Sequence, residues 1–490
     1  MSTLNLLAVL FASVFAAPMA APGSTEAAIP SAGNDLRLCP LFSDHMVLQR
    51  ECDASVWGRA WPNENVRIHP SWSKEETLVR ADTQGHWRTK LHTPKAGGPH
   101  TISFQASRSV KLEDVWIGEV WLASGQSNME MPLMDCGALY TGVQDAEKEI
   151  AAAKWPRLRM FDVPNRASAT AQDELVGTWS VCSPDTAGGF SAVAYFFARE
   201  LLEKLNVPVG IVNASWGGTP IEAWMSAESL AAFPHAAAGL KKLAENAASK
   251  DPKKAAPEQD APSALFNGMI APLVPFALRG AIWYQGESNR GDGLIYAKIM
   301  SAMIGDWRTR WGVGEFPFYF VQIAPHRYRG DTGMTALLRE GQLHTLEVPA
   351  TGMAVTMDIG DKDDIHPKRK QEVGRRLALW ALAKIHGQDT LEYSGPLYRA
   401  MKVEEGAIRI QFDHAQGLKA RGGEAGPFLI AGADHKFVAA EAKIENDTVV
   451  VSAAEVREPL AVRYAWLDFC EPTLFNAAYL PASPFRTDTW

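Results

Sequence analysis

The chain has 490 residues, with 48 lysines and arginines against 56 aspartates and glutamates, and a formal net charge of −8. This length predicts about two to four domains. Apolar residues make up 47% and charged residues 21% of the chain, which is typical of a soluble globular protein. The negative charge argues against nucleic acid or an anionic membrane as a partner.

The first 20 residues have the pattern of a signal peptide. Residues 6–17 form an apolar run that is followed by small residues, and we expect cleavage after Ala16 or Ala20. The run is too short to span a bilayer, and no later segment reaches about 18 apolar residues. We therefore expect an exported, soluble protein that is periplasmic, secreted or lysosome-like.

The five cysteines include no C-x-x-C pair, which argues against a zinc site or a thioredoxin-like motif. Export would permit a disulfide, and Cys39 and Cys52 are the nearest pair in sequence. Because the number is odd, at least one thiol is free or pairs with another chain. The sequence does not decide the pairing.

Residues 36–115 are predicted to form a small amino-terminal β-sandwich. Short apolar strands alternate there with turns that contain Gly, Pro and Asn. The main predicted strands are residues 56–61, 66–69, 78–81 and 101–104.

Residues 116–391 are predicted to form an α/β unit. Apolar strands alternate with helices, which favours a parallel sheet with helices on both faces. The predicted strands are residues 117–123, 209–214, 280–284, 318–324 and 353–358, and the predicted helices are 191–206 and 368–385.

Two further segments follow from composition and pattern. Residues 236–262 are rich in Ala and Lys and are predicted to form a surface insertion. Strands return at residues 408–412, 449–452 and 462–466, which predicts a carboxyl-terminal β domain over residues 392–490.

Four polar segments follow predicted strands of the α/β unit. Ligands of open parallel sheets bind beyond the carboxyl ends of the strands, so we expect these segments to converge on one edge. The segments are Gly125-Gln126-Ser127-Asn128, Trp216-Gly217-Gly218-Thr219, Gln285-Gly286-Glu287-Ser288-Asn289 and Asp363-Asp364-Ile365-His366.

Together these segments contain the groups that acyl transfer needs. Ser127 is the candidate nucleophile, His366 the base, and Asp363 the carboxylate that orients it. The N–H groups of Ser127 and of Gly217 or Gly218 are candidate oxyanion donors, with a side-chain amide from Gln285 or Asn289. Alternatively, the serine is an ordinary helix N-cap and the aspartates are helix N-terminal charges.

At these segments the chain resembles the sialate O-acetylesterase family of SGNH hydrolases, which is related to bacterial carbohydrate acetylesterases. The similarity includes M-V-L-Q-R (46–50), G-E-V-W-L (118–122), F-N-G-M-I-A-P-L (266–273) and P-A-S-P-F-R-T-D (481–488). The resemblance implies a three-layer αβα core flanked by β domains. It also implies hydrolysis of acetyl esters on a carbohydrate, with sialic acid favoured, and without a metal or another cofactor.

Carried over by motif, the catalytic residues are Ser127, Asp363 and His366. The D-x-x-H spacing favours Asp363 over its neighbours Asp361 and Asp364. The W-G-G and Q-G-E-S-N segments supply the oxyanion donors.

The third family block is usually Gly-x-Asn-Asp, whereas this chain has Gly286-Glu287-Ser288-Asn289. This departure favours Gln285 over Asn289 as the amide donor. Glu287 then either anchors its loop or contacts the substrate.

Two further residues, both upstream of the last predicted strand of the α/β unit, are candidates for contacts with the sugar. Arg339 and Gln342 suit a carboxylate or a hydroxyl, because a guanidinium pairs with a carboxylate through two hydrogen bonds. A surface salt bridge is the alternative role for the arginine. Two other functions remain open: an acetylxylan or other plant-polysaccharide acetylesterase, and a non-catalytic carbohydrate-binding protein.

Overall fold

The computed structural model describes residues 35–251, 257–330 and 333–490. The predicted signal peptide, residues 1–20, lies outside these ranges. The described chain has a mixed α/β fold with several sheets. Its α-helices are α1 (Ser127–Glu130), α2 (Ala146–Ala152), α3 (Pro184–Ala187), α4 (Ala192–Leu205), α5 (Ala227–Leu230), α6 (Ala237–Ala248), α7 (Ile295–Trp311), α8 (Met334–His344) and α9 (Lys370–Lys384).

The amino-terminal part is built from short strands, as the sequence predicts. They are β1 (Arg37–Leu38), β2 (Val47–Gln49), β3 (Asp53–Arg59), β4 (Asn65–Pro70), β5 (Thr77–Arg80), β6 (His86–His92) and β7 (Gly97–Gln105). Strands β1, β3 and β6 form one sheet. In β4, buried and exposed residues alternate, because successive side chains of a strand point to opposite faces.

The next strand, β8 (Ser109–Gly125), extends over 17 residues and belongs to two parts of the fold. Its first half pairs with β7 in antiparallel orientation. Its second half, from Glu119 to Gly125, is parallel to β11 (Val209–Ser215). The expected boundary between residues 115 and 116 therefore falls inside one continuous strand, whose pairing partners change along its length.

The central sheet contains six parallel strands in the order β9-β11-β8-β12-β13-β14, and β10 is antiparallel at one edge. The strands not yet described are β9 (Trp155–Asp162), β10 (Trp179–Cys182), β12 (Gly280–Tyr284), β13 (Phe318–Gln322) and β14 (Thr351–Val355). The chain places β9 and β11 on one side of β8 and the later strands on the other. The carboxyl end of β8 is therefore the topological switch point, where open α/β sheets bind ligands.

Helices α4 and α9 pack against each other beside this sheet. Val193, Phe197 and Leu201 of α4 are fully buried, in agreement with the predicted apolar face. Each such side chain contributes about 1.5–3 kcal/mol by leaving water. The close approach depends on Gly374, since a Cβ there would lie 2.6 Å from Cβ of Phe196.

The carboxyl-terminal strands are antiparallel. They are β15 (Leu397–Glu404), β16 (Ala407–Asp413), β17 (Lys419–Ala420), β18 (Phe428–Ala431), β19 (Val438–Glu445), β20 (Thr448–Ser452), β21 (Ala461–Tyr464), β22 (Leu474–Phe475) and β23 (Phe485–Arg486). Seven of them form one sheet in the order β15-β16-β20-β19-β18-β21-β23. The predicted strands 408–412, 449–452 and 462–466 correspond to β16, β20 and β21.

The predicted insertion, residues 236–262, contains α6, and its end returns to the central sheet. Gln259 donates a hydrogen bond from Nε2 to the carbonyl of Gly217 at 3.0 Å, which links the insertion to the loop after β11.

All five cysteines lie in the described ranges, and none forms a disulfide. No helix in the described ranges is both long and apolar enough to cross a membrane.

Candidate active site

The turn that carries Ser127 begins where β8 ends. Gly125 has φ +138°, and a Cβ at this position would lie 2.1 Å from the carbonyl oxygen of Tyr284. Only glycine fits such a close approach. The N–H of Gln126 donates to the same carbonyl at 3.0 Å, so the turn is fixed against β12. Ser127 then starts α1 and is half-buried at the switch point.

The side chain of Gln126 joins this turn to the Q-G-E-S-N segment. Its Oε1 accepts the N–H groups of Gly286 at 3.3 Å and Ser288 at 3.2 Å. Gln126 itself is almost fully buried. These bonds explain the glutamine before the serine, because its amide oxygen holds two neighbouring strand-end loops together.

The W-G-G segment lies directly against the serine. A Cβ built on Gly217 would lie 3.2 Å from Cβ of Ser127. The N–H of Gly217 donates to Glu130 Oε2 at 2.8 Å, and the hydroxyl of Tyr140 donates to the same oxygen at 2.7 Å. In the described part of the chain, no hydrogen bond uses the N–H of Ser127 or that of Gly218. The N–H of Gly217 is therefore engaged, whereas that of the next residue, Gly218, has no partner in the described ranges.

The His366 loop reaches the same place from β14. Asn128 donates from Nδ2 to the carbonyl of Ile365 at 3.0 Å, which ties the residue after the serine to the residue before the histidine. The Tyr140 ring contacts the imidazole edge-to-face, with ring centroids 5.1 Å apart. The predicted convergence of the four segments is thus confirmed. Over the described ranges, however, the Ser127 hydroxyl makes no hydrogen bond with His366.

The pKa of the His366 imidazole is lower than the ordinary value for histidine. Burial, followed by the positive charge of Lys370, lowers its pKa to about 4, and Asp364 opposes this shift. A neutral imidazole is the form that accepts a proton from a nucleophile. His366 is therefore in its base form even in mildly acidic solution.

Two neighbouring carboxylates differ in their relation to His366. Asp364 Oδ1 accepts the backbone N–H of His366 at 2.8 Å and lies 3.7 Å from its Nδ1. The side chain of Asp363 is 69% exposed and lies 3.9 Å from the ammonium of Lys362. Asp361 fixes this turn by accepting the N–H groups of both residues. The structure therefore brings Asp364, and not the expected Asp363, to the imidazole.

The side-chain amides of the two predicted oxyanion donors form hydrogen bonds with other residues of the protein. Gln285 Nε2 donates to the carbonyl of Thr219 at 3.1 Å and to Asn289 Oδ1 at 2.6 Å. Asn289 Nδ2 donates to Glu222 at 2.9 Å and to Asp292 at 2.8 Å. A primary amide has only two N–H donors. In this arrangement neither Gln285 nor Asn289 has an unused amide N–H for an oxyanion, and the prediction that one of them is the donor stays a prediction.

The two predicted sugar-binding residues are also internal. The guanidinium of Arg339, which is fully buried, donates to the carbonyls of Ile323, Ala324, Leu467 and Asp468. Gln342 accepts the N–H of Ile323 and donates to the carbonyls of Gln285 and Val321. Both residues join chain segments in the interior and present no surface to a substrate, so the structure corrects this expectation.

Glu287 also points inward. Its Oε1 accepts from Asn128 Nδ2 at 2.6 Å, and burial raises the pKa of its carboxyl group. This contact corresponds to the loop-anchoring alternative and not to substrate binding.

Four residues that organise the site had no role predicted from the sequence. Glu130 and Asn128 lie within the G-Q-S-N-M-E string, so their position beside the serine was an available signal. Tyr140 lies in a loop and Lys370 opens a helix, and neither position carries a signal in a single sequence. Within the described ranges, no group of three or more His, Cys, Asp and Glu side chains is placed to hold a metal ion.

This geometry brings a hydroxyl, a neutral imidazole and a nearby carboxylate to the loops at the switch point, and the N–H groups of Ser127 and Gly218 have no partner among the described residues. That combination suits nucleophilic attack on a carbonyl and stabilisation of the resulting oxyanion.

Comparison with known proteins agrees with this chemistry. The family model for carbohydrate esterases described as sialic acid-specific acetylesterases matches residues 117–383. The chain is 30% identical to the sialate O-acetylesterases of Pongo abelii and Homo sapiens, over 93% of this chain and 93% of each relative. A crystal structure of a carbohydrate acetylesterase from Xanthomonas citri is 40% identical, with a TM-score of 0.83 and coverage of 93% of this chain and 100% of that one. The chain belongs to the carbohydrate esterase family of sialic acid-specific acetylesterases.

Proposed function

We propose that this esterase removes O-acetyl groups from carbohydrates, with O-acetylated sialic acid as the favoured substrate and Ser127 as the nucleophile. The observation that carries the proposal is the position of Ser127 at the switch point, with the His366 loop tied to it through Asn128. Family membership supports the same reaction class.

The proposed reaction has two acyl-transfer steps. His366 accepts the hydroxyl proton as Ser127 Oγ attacks the acetyl carbonyl, and the N–H groups of Ser127 and Gly218 hold the oxyanion. The tetrahedral intermediate collapses, the sugar oxygen leaves with the proton from His366, and acetyl-Ser127 remains. Water, deprotonated by His366, then releases acetate and restores the serine.

The carboxylate that orients His366 is assigned to the adjacent pair Asp363 and Asp364. The motif spacing favours Asp363, and the 3.7 Å distance to Nδ1 favours Asp364. Matched variants Asp363→Asn and Asp364→Asn distinguish them, because both keep the side-chain shape and remove one charge. Loss of the orienting carboxylate lowers kcat by about 10⁴-fold in a serine triad. The other variant retains most of its activity.

The proposal also includes the arrangement of the domains. A three-layer αβα core of the SGNH type would use the parallel strands and the helices that pack on them, between a β-sandwich at residues 36–115 and a β domain at residues 392–490. Export through a signal peptide at residues 1–20 is part of the same proposal.

A broader carbohydrate substrate is the second candidate. The Xanthomonas citri structure is described as a carbohydrate acetylesterase, without a named sugar. Acetylated xylan, a plant polysaccharide, is the comparison substrate for this candidate.

The test is acetate release by the wild type and by Ser127→Ala from O-acetylated sialic acid and from acetylated xylan. We expect the variant to lose about 10³-fold or more in kcat. Ser107→Ala, at an exposed serine in the turn after β7, is the matched control and keeps the wild-type rate.

Each result has a defined meaning. Unchanged activity in Ser127→Ala would disprove the assigned nucleophile. No acetate from either substrate with either protein would favour a non-catalytic carbohydrate-binding protein. The preferred substrate of the wild type decides between the two sugar classes.

A further inference from the structure

Three buried polar side chains lie behind the proposed catalytic residues. Lys370, the first residue of α9, is fully buried, and its ammonium donates to Oδ1 of Asn128. Asn128 is also fully buried and donates from Nδ2 to Glu287 Oε1 at 2.6 Å. The amide of Asn128 thus connects a buried cation with a buried carboxyl group.

This arrangement is costly for the fold. Moving two ionisable groups out of water costs several kcal/mol per ion, and well-packed apolar side chains are often at least as stable in such places. Glu287 Oε2 is buried and has no hydrogen-bond partner in the described ranges. Stability alone therefore does not account for these residues.

The three residues come from three elements that meet at the site. Asn128 directly follows Ser127, Glu287 lies in the loop after β12, and Lys370 lies four residues after His366. The second N–H of the Asn128 amide donates to the carbonyl of Ile365 at 3.0 Å. Every polar atom of this amide therefore has a partner, and its position is fixed from three sides.

We propose that Asn128, Lys370 and Glu287 act as positioning residues for the esterase reaction. Asn128 holds the His366 loop against the Ser127 turn, Lys370 keeps a positive charge beside the imidazole, and Glu287 holds the amide of Asn128 in register. This inference rests on the proposed roles of Ser127 and His366.

The charged groups around His366 support the proposed electrostatic role of Lys370. The groups that act on His366 are Lys370 from α9, Asp364 from its own loop and His326 from the loop after β13, and Tyr140 contacts the ring. Burial lowers the pKa of Lys370 to about 7, against the opposing effect of Glu287 and Asp364. Lys370 is therefore protonated in mildly acidic solution, where its charge disfavours protonation of His366.

Two variants separate the two roles in the full-length enzyme. Lys370→Met removes the charge and keeps the length of the side chain, so the acid limb of kcat/KM should move to higher pH by roughly half to one unit. Asn128→Ala removes the link to Ile365 together with the hydrogen bonds that Asn128 makes to Lys370 and Glu287. It should lower kcat by about 10- to 100-fold, with little change in KM.

Lys368→Gln is the matched control, because Lys368 is exposed and lies two residues before Lys370. It should leave the acid limb and kcat as in the wild type. If thermal unfolding shows that Lys370→Met is not folded, Lys370→Met combined with Glu287→Gln removes both charges and leaves no unpaired ion. The same upward shift of the acid limb is expected for this double variant.

The inference fails if the acid limb of the folded lysine variant, single or double, coincides with that of Lys368→Gln. It also fails if Asn128→Ala retains the wild-type kcat. Ser127→Ala, assayed alongside, separates these failures from failure of the proposed function. If Ser127→Ala remains active, the assigned nucleophile is wrong; if it is inactive and the lysine variant shows no shift, only the positioning inference is wrong.

Discussion

The carboxylate of Glu130 accepts the backbone N–H of Gly217 at 2.8 Å. Glu130 lies three residues after the proposed nucleophile in the chain. Its other carboxylate oxygen accepts Asn165 Nδ2 at 3.0 Å. Glu130 thereby fixes the W-G-G loop against the serine turn. It also engages the N–H of Gly217, so the proposed oxyanion donors are the N–H groups of Ser127 and Gly218.

Gly217→Ala should impair catalysis more than stability. The added Cβ would lie 2.9 Å from Glu130 Oε2 and 3.2 Å from Cβ of Ser127, so the Glu130 carboxylate must move and the serine turn must shift by a few tenths of an ångström. Since a displacement of about 1 Å costs roughly 10²-fold in rate, we expect this smaller displacement to lower kcat/KM by about 10-fold. Gly305→Ala is the control, because nothing lies within 4 Å of a Cβ there. Full activity of Gly217→Ala would show that the loop does not touch the reacting groups.

The pH dependence should reflect the lowered pKa of His366. Because burial and Lys370 bring this pKa to about 4, the neutral base persists well below the ordinary imidazole value of about 6.5. We expect kcat/KM to stay level on acidification from neutral pH and to fall only as the pH approaches about 4. Acetate release measured from about pH 3 to about pH 9 tests this. An acid limb centred near pH 6.5 would contradict the buried environment of the imidazole.

Replacing Gln285 and Asn289 should affect stability first. Each amide is buried and its donors are satisfied by internal acceptors, so Gln285→Ala or Asn289→Ala should cost about 1–3 kcal/mol of unfolding free energy. Since Gln285 Nε2 donates to Asn289 Oδ1, the double variant should cost less than the sum of the two. Denaturant unfolding measures both effects. A loss of 10²-fold or more in kcat without destabilisation would restore the oxyanion role.

Arg339→Met should destabilise the protein without weakening substrate binding. The guanidinium donates to carbonyls on two segments far apart in sequence, at Ile323 and Ala324 and at Leu467 and Asp468. Loss of these charge-assisted bonds leaves buried carbonyls without donors, and we expect a cost of about 3 kcal/mol. KM for acetylated sialic acid should not change. Arg88→Met, at an exposed arginine of β6, is the control, and a raised KM in Arg339→Met alone would contradict an internal role.

The local sequence pattern determined the type of the central sheet and the edge where the polar segments meet. The apolar strands that alternate with helices predict a parallel sheet, and the polar segments after those strands meet because parallel strands end at one edge. The glycine before Gln126 and the apolar face of α4 follow from backbone sterics and helical periodicity, which act over a few residues. The meeting of the Ser127 and His366 loops was therefore identifiable from the sequence and the family motifs.

The tertiary structure alone decided which polar groups are free to act. Gln285, Asn289, Arg339 and Gln342 have the chemistry of substrate or oxyanion contacts, yet their partners lie in the interior, and many are far away in sequence. The role of Lys370 likewise depends on Asn128, 242 residues away in sequence. A hydrogen bond requires its two atoms within about 3 Å of each other, and only the packing of distant segments sets that distance.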